Sequence, residues 1–206
     1  MYNPPAFVET RPDELQAIMR AASLPILISP GKTGLLVTHM PLDFKAPGRV
    51  VGHIARANPH WREFDPSLES VAIFTAVDGY ISPSWYASKA ETGKVVPTWN
   101  YQAVHATGRL EIIEDPTALL KIVTELTQRH ETGRPKPWAV SDAPADYIAS
   151  QLKGIIGIVL HISKLEGKAK LSQNKSEADQ EGVIAGVAIE NPALAEAMRK
   201  TQKKQS

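Results

Sequence analysis

Period-two alternation of apolar and polar positions dominates this chain, and amphipathic helical stretches fall mostly outside it. Residues 11–23 read as the first helix. Pro12 suits its first turn, Asp13 and Glu14 complement the positive dipole end, and Leu15, Ile18, Met19 and Ala22 share one apolar face. Residues 26–29 and 34–40 read as strands joined by a turn at Pro30 and Gly31, a hairpin signal. Residues 41–48 read as a loop. Residues 49–57, RVVGHIARA, read as a third strand, with Val51, His53 and Ala55 on one face and Val50, Ile54 and Arg56 on the other.

A buried-type strand over 70–77 ends at a turn on Asp78 and Gly79, and a long strand follows over 99–113. Asp115 and Pro116 open a helix that runs to about His130, with Leu119, Leu120, Val123 and Leu126 as its core stripe. Residues 143–153 read as a short helix behind an Asp142 cap. The last strand region covers 154–171, with Gly167 as a bend or bulge, and places Lys168, Lys170 and Ser172 on one face. Helices follow at about 177–189 and 192–203, and residues 199–206 form a basic tail. Strands in this number, with helices at the periphery, predict a mainly β fold with α decorations, a β-barrel. A doubly wound α/β sheet needs strands alternating with helices throughout, and the first half lacks them.

Composition narrows the classes. A chain of 206 residues suits one well-buried domain, and 43% hydrophobic with 22% charged residues is ordinary for a globular protein. A net charge of +1 predicts no strong surface field, so charge alone neither suggests nor excludes a nucleic-acid partner. The absence of cysteine removes disulfides, thiolate nucleophiles and cysteine-based metal sites together. No basic region followed by an apolar stretch opens the chain, and no apolar run is long enough to span a bilayer. These readings predict a soluble, cytoplasmic protein without a membrane partner. The six histidines show neither HxH nor HExxH spacing, so no metal site is expected, and GxGxxG, P-loop and GxSxG motifs are missing.

The chemistry concentrates in residues 79–110, which hold two of the four tryptophans and three of the five tyrosines. These rings alternate with Ser82, Ser84, Lys89, Thr98 and Asn100. Flat apolar area edged by hydroxyls and amides suits a planar aromatic ligand with polar edges. The same residues also make an aromatic mini-core with capped turns. Arg56 and Asn58 leave a strand at a turn where donors can cradle a phosphate, or simply end an exposed strand. Lys168, Lys170 and Ser172 are likewise an anion site or the charged face of an edge strand. Taken together, two anion-competent strand ends and an aromatic, hydroxyl-rich wall fit a flavin mononucleotide.

The motifs GHIARANPHW, YISPSWYASK, VPTWNYQAVHATGRL, LTQRHE, PWAVSDAPADYI and GKAKLSQNK stand in this order. With them the chain resembles the PaiB family, FMN-binding negative transcriptional regulators, over residues 1 to about 187. The resemblance implies an FMN-binding split β-barrel of the pyridoxamine-phosphate-oxidase type over residues 1–187, followed by a C-terminal helix and basic tail over 188–206. It implies a homodimer with FMN in the groove between subunits. Arg56 and Asn58 are then expected near the phosphate and His53 beside the ribityl chain. Ser82, Trp85, Tyr86, Thr98, Trp99 and Asn100 become pocket candidates, and Lys168, Lys170, Ser172 and Gln173 reach in from the partner subunit.

Kinship carries the regulator reading and, with it, a possible DNA partner; no helix-turn-helix is evident. An FMN-dependent oxidoreductase acting on a small cytosolic molecule uses the same pocket. A third reading replaces FMN by haem, with His53 or His105 as the ligand.

Overall fold

The computed structural model describes residues 1–202; the last four positions of the expected basic tail lie outside the described residues. Its strands are β1 (Val8–Glu9), β2 (Ile26–Gly31), β3 (Gly34–His39), β4 (Leu42–Lys45), β5 (Arg49–Ala55), β6 (Ser70–Ile81), β7 (Thr98–Ile113) and β8 (Ile155–Lys170). Its helices are α1 (Pro12–Ala21), α2 (His60–Glu63), α3 (Ser88–Thr92), α4 (Pro116–Glu131), α5 (Ala145–Leu152), α6 (Glu177–Glu190) and α7 (Pro192–Gln202). One sheet runs in the order β3-β2-β6-β7-β8-β5-β4, with β1 paired antiparallel to β8. The chain divides into two compact units. Unit 1 holds residues 1–22, 74–104 and 166 onward, and unit 2 holds 23–73 and 105–165, so the long strands β6, β7 and β8 run through both.

Unit 2 is built on β5 and β8. They pair from Arg49 opposite His161 to Ala55 opposite Ile155. Val50 and Ile54 are buried, as alternation requires, and Ile156, Ile158 and Leu160 are fully enclosed. Helix α4 lies over β8 because Gly157 offers no side chain there: a Cβ would meet Leu119 and Ile122 at 3.1 and 3.0 Å. The α4 stripe is therefore Leu119, Ile122 and Leu126, while Leu120, expected in the core, is exposed. Asp115 caps α4 by accepting the Ala118 amide at 2.8 Å.

Three further local expectations in unit 2 need correction. The hairpin turn lies at Lys32 and Thr33, because Pro30 and Gly31 remain in β2 opposite Leu35 and Gly34. Residues 41–48 are not all loop: β4 pairs with β5, and its buried Asp43 is neutralised by Arg129 at 2.9 Å and Lys45 at 2.8 Å. Asp142 does not cap α5, which starts behind Pro144; its carboxylate instead accepts the Ala139 amide at 2.9 Å.

A buried polar chain crosses unit 2. Asn58 donates to the Thr38 hydroxyl (3.2 Å), Thr38 contacts His60 Nδ1 (2.9 Å), His60 Nε2 contacts Ser29 (2.8 Å), and Ser70 donates to Ser29 (2.7 Å). Hydroxyls take either role in a hydrogen bond, which lets a neutral imidazole sit 2% exposed with both nitrogens paired. Burial lowers the pKa of His60, and of His53, below the ordinary imidazole value.

The unfolded chain therefore takes up protons near about pH 6.5 where the folded chain does not. Stability contributed by the neutral imidazoles is full above that pH and is lost as pH falls below it. We expect the urea midpoint to be flat from about pH 7 to 8 and to fall toward pH 5. A His60→Gln chain should fall less steeply over that range. Equal slopes in the two chains would remove His60 from the acid response.

Unit 1 packs α6 and α7 against Ile81, Tyr86, Ala169 and Leu171, with Val183, Val187, Leu194 and Met198 as the helical contribution. Strand β6 passes through Asp78 and Gly79, where a turn was expected. A Cβ on Gly79 would meet Leu194 at 2.7 Å, and Asn191 donates to the Asp78 carbonyl at 2.9 Å, so α7 holds this stretch extended. Gly167 is a point of close approach: a side chain there would overlap Leu15 of α1 and the Glu9 carbonyl of β1.

Candidate functional site

Unit 1 gathers most of the expected site residues. Ser82 opens the 3-10 turn Pro83–Trp85, its hydroxyl accepting the Ser84 amide at 3.2 Å. Trp85 lies on α6 at Gly182 and Gly186, where a Cβ on either would overlap the Trp85 carbonyl or ring. Tyr86 is 4% exposed within the helical core, and its hydroxyl has no hydrogen-bond partner. Burial, with the nearby Asp179 carboxylate, raises its pKa. The Ser88 amide and hydroxyl both donate to Asp179 at 2.9 Å, which fastens α3 to α6. Trp85 and Tyr86 are thus held from behind by α6.

Strand β7 begins with Thr98, Trp99 and Asn100. Trp99 is 56% exposed and meets Tyr80 edge-on, with ring centroids 6.1 Å apart. Asn100 is buried; its Nδ2 donates to Ser172 Oγ at 2.8 Å, and its Oδ1 is a buried acceptor without a partner. Ser172 adopts a φ of 65°, a left-handed conformation that a non-glycine residue holds only when its surroundings fix it, and the Asn100 bond is one such restraint. Gln173 closes the same turn, accepting the Leu171 amide and donating to the Ala169 carbonyl.

The end of β8 is a cationic cluster. Lys168 is 5% exposed; its ammonium donates to the Tyr2 carbonyl at 3.0 Å and sits 5.2 Å from the Tyr101 ring centroid. The Lys170 ammonium donates to the Thr98 hydroxyl and the Trp99 carbonyl. Burial lowers its pKa, and the charges of Lys168 and Lys175 lower it further. Tyr2, Tyr101 and Lys175 were not expected here. Lys175 ends the motif GKAKLSQNK, so the sequence does carry a signal for it, whereas Tyr2 is brought to the cluster by the pairing of β1 with β8.

Unit 2 holds the other three expected residues. Arg56 is engaged, donating to the Lys153 carbonyl (2.9 Å) and to Glu114 (2.7 Å), and its own carbonyl accepts from Trp61 Nε1 (3.0 Å). Asn58 belongs to the buried polar chain and also accepts the His60 amide at 2.9 Å. His53 faces a cavity beneath α4 and α5, its Nδ1 buried and without a partner. Among the described residues no three histidine, cysteine, aspartate or glutamate side chains converge as a metal-ion cluster would require. No described helix is long and apolar enough to cross a membrane.

Residues 1–164 match the family model described as "Putative FMN-binding domain". The protein called "Protease synthase and sporulation protein PAI 2" from Bacillus subtilis (strain 168) is 32% identical over 212 residues, spanning 100% of both chains. A conserved hypothetical protein from Mycobacterium tuberculosis has a similar structure, with a TM-score of 0.61 at 12% identity over 86% of this chain and 95% of that one. A protein from Mycobacterium smegmatis named for binding FAD and haem follows at 0.59 and 16%, over 87% and 80%. At such identities the structural likeness is one of fold, and it agrees with the expected split β-barrel with α decorations.

Proposed function

Because the chain belongs to this FMN-binding family, we propose that it binds FMN as a homodimer and works as a negative transcriptional regulator of the PaiB type. The observation that carries the flavin part is Lys170: a half-buried ammonium flanked by two further lysines, with no carboxylate among the described residues shifting it, beside an orphaned acceptor on Asn100. A cation held among cations is stabilised by an anion, and the FMN phosphate supplies one. Trp99 and Tyr80 offer exposed flat area on the same unit, and Thr98 and Ser82 offer hydroxyls. The donor set therefore fits the cofactor. Lys168, Lys170 and Ser172 would hold its phosphate side, with Gln173 shaping their turn.

With the lysines reaching in from the partner subunit, Arg56 would serve the phosphate by releasing Glu114, and Asn58 would keep the Arg56 turn in place. Trp85, Tyr86 and Asn100 would form the wall beside the ring system, backed by α6. When bound, the flavin supplies one- and two-electron transfer; the protein supplies position and electrostatics. Exposed rings at Trp99 and Tyr80 also support a second copy of the chain as the cover of this face.

The regulator half is tested by a DNA-binding titration of the FMN-loaded protein over a salt series. Binding that weakens with salt, and is lost when residues 199–206 are removed, is the expected result. NAD(P)H-driven flavin turnover with no DNA binding at any salt concentration would instead establish the oxidoreductase reading.

A further inference from the structure

Arg56 makes four hydrogen-bonded contacts in unit 2, and one of them differs in kind from the rest. Its amide donates to the Gly154 carbonyl at 2.8 Å, and its own carbonyl accepts from Trp61 Nε1 at 3.0 Å. Its Nε donates to the Lys153 carbonyl at 2.9 Å, and the guanidinium carbon lies 5.8 Å from the Trp61 ring centroid. Main-chain carbonyls and a ring N–H therefore fix where Arg56 stands. The fourth contact is to a side chain. Arg56 Nη1 meets the Glu114 carboxylate at 2.7 Å, and that side chain is 56% exposed.

Glu114 is placed to let go. It stands between Ile113, the end of β7, and α4, which starts at Pro116, so its side chain can swing away while both elements stay formed. The freed carboxylate remains beside the positive end of α4, which lowers the cost of release. A second guanidinium, that of Arg62, stacks on the Trp61 ring at 4.4 Å, so the neighbourhood stays cationic when Glu114 leaves. While it is in place, Glu114 neutralises Arg56 and repels an incoming phosphate. We propose that Glu114 is an internal competitor of the cofactor phosphate: it occupies Arg56 in the empty protein, and FMN reaches Arg56 by displacing it. Glu114 thereby sets how firmly the cofactor is held and keeps it exchangeable. This inference rests on the flavin reading, with Arg56 as a phosphate partner within it.

The test is a fluorescence titration with FMN of the full chain and of four variants: Glu114→Ala, Glu114→Gln, Arg56→Ala and the Glu114→Ala, Arg56→Ala pair. Glu114→Ala should bind FMN about two- to fivefold more tightly than the parent, the worth of an exposed ion pair. Glu114→Gln keeps the length and a hydrogen bond but loses the charge, so its gain should be smaller. In the Arg56→Ala background, adding Glu114→Ala should change nothing, because the contact it breaks is already gone. Unchanged or weaker FMN binding by Glu114→Ala would overturn the inference and leave the flavin reading standing. A gain of the same size in the Arg56→Ala background would also overturn it, by reducing Glu114 to a general charge effect. Failure of the parent chain to bind FMN would instead strike the flavin reading, and the inference with it.

Discussion

Replacing Lys170 by Ala should weaken FMN binding about ten- to hundredfold, corresponding to about 1.5–3 kcal/mol for one charge-assisted hydrogen bond to a phosphate. The fold should survive, because Lys170 is half-buried at the end of β8 and its ammonium donates to the Thr98 hydroxyl and the Trp99 carbonyl and lies 6.0 Å from the Phe7 ring centroid. Folding of the apo chain should even become slightly easier, since the cationic pressure from Lys168 and Lys175 is relieved. The measurement is a fluorescence titration with FMN, run beside urea unfolding of the apo chain. An Arg56→Ala chain should lose less affinity, because Arg56 must first give up Glu114 to reach a phosphate. Undiminished affinity in Lys170→Ala with a normal unfolding midpoint would take the phosphate away from this cluster.

Replacing Gly186 by Leu should destabilise the protein by about 3 kcal/mol. An exposed helical glycine changed to a better helix former gains up to about 1 kcal/mol. Here that gain is overridden, because a Cβ at Gly186 overlaps the Trp85 ring and one at Gly182 overlaps the Trp85 carbonyl. The tryptophan must leave α6, so its fluorescence should shift toward that of a water-exposed indole. The urea midpoint and the emission maximum read the two effects separately. A Gly186→Leu chain as stable as the parent, with unshifted emission, would show that Trp85 does not rest on this helix. FMN affinity should fall with the loss of this support, since α6 backs the segment that carries Ser82, Trp85 and Tyr86.

Much of the fold was legible because it obeys local periodicity. Val50 and Ile54 of β5, and Leu15, Ile18 and Met19 of α1, are buried where alternation and helical spacing place them. What escaped depends on distant partners. Strand β4 looked like a loop because an acid at position 43 reads as exposed, and the Arg129 that neutralises it lies 86 residues away. Asp78 and Gly79 looked like a turn; the strand continues there because α7 needs a glycine beneath Leu194. Leu120 was placed in the core where Ile122 belongs, since both satisfy a helical stripe and only Gly157 on β8 decides which face turns inward.

The site was legible at the level of motif and less so at the level of contact. Lys168, Lys170, Thr98, Asn100 and Ser172 are linked in one unit by hydrogen bonds and mutual charge. Trp85 and Tyr86 were singled out for their flat rings, a property that serves a helix packed on Gly182 and Gly186 as well as it serves a ligand. Asn58 was singled out as a turn donor, and the structure commits its amide to Thr38 and His60. No spacing in the sequence announces that the Asn58 amide is already spent in this way, because Thr38 belongs to a different strand.

The central claim is that the chain holds FMN, and titration of the apo protein with FMN, followed by quenching of flavin fluorescence, tests it most directly. Saturable quenching at one flavin per chain is the predicted result, with binding weakened by added inorganic phosphate as the lysine cluster requires. Flavin fluorescence that stays at its free value throughout the titration would contradict it.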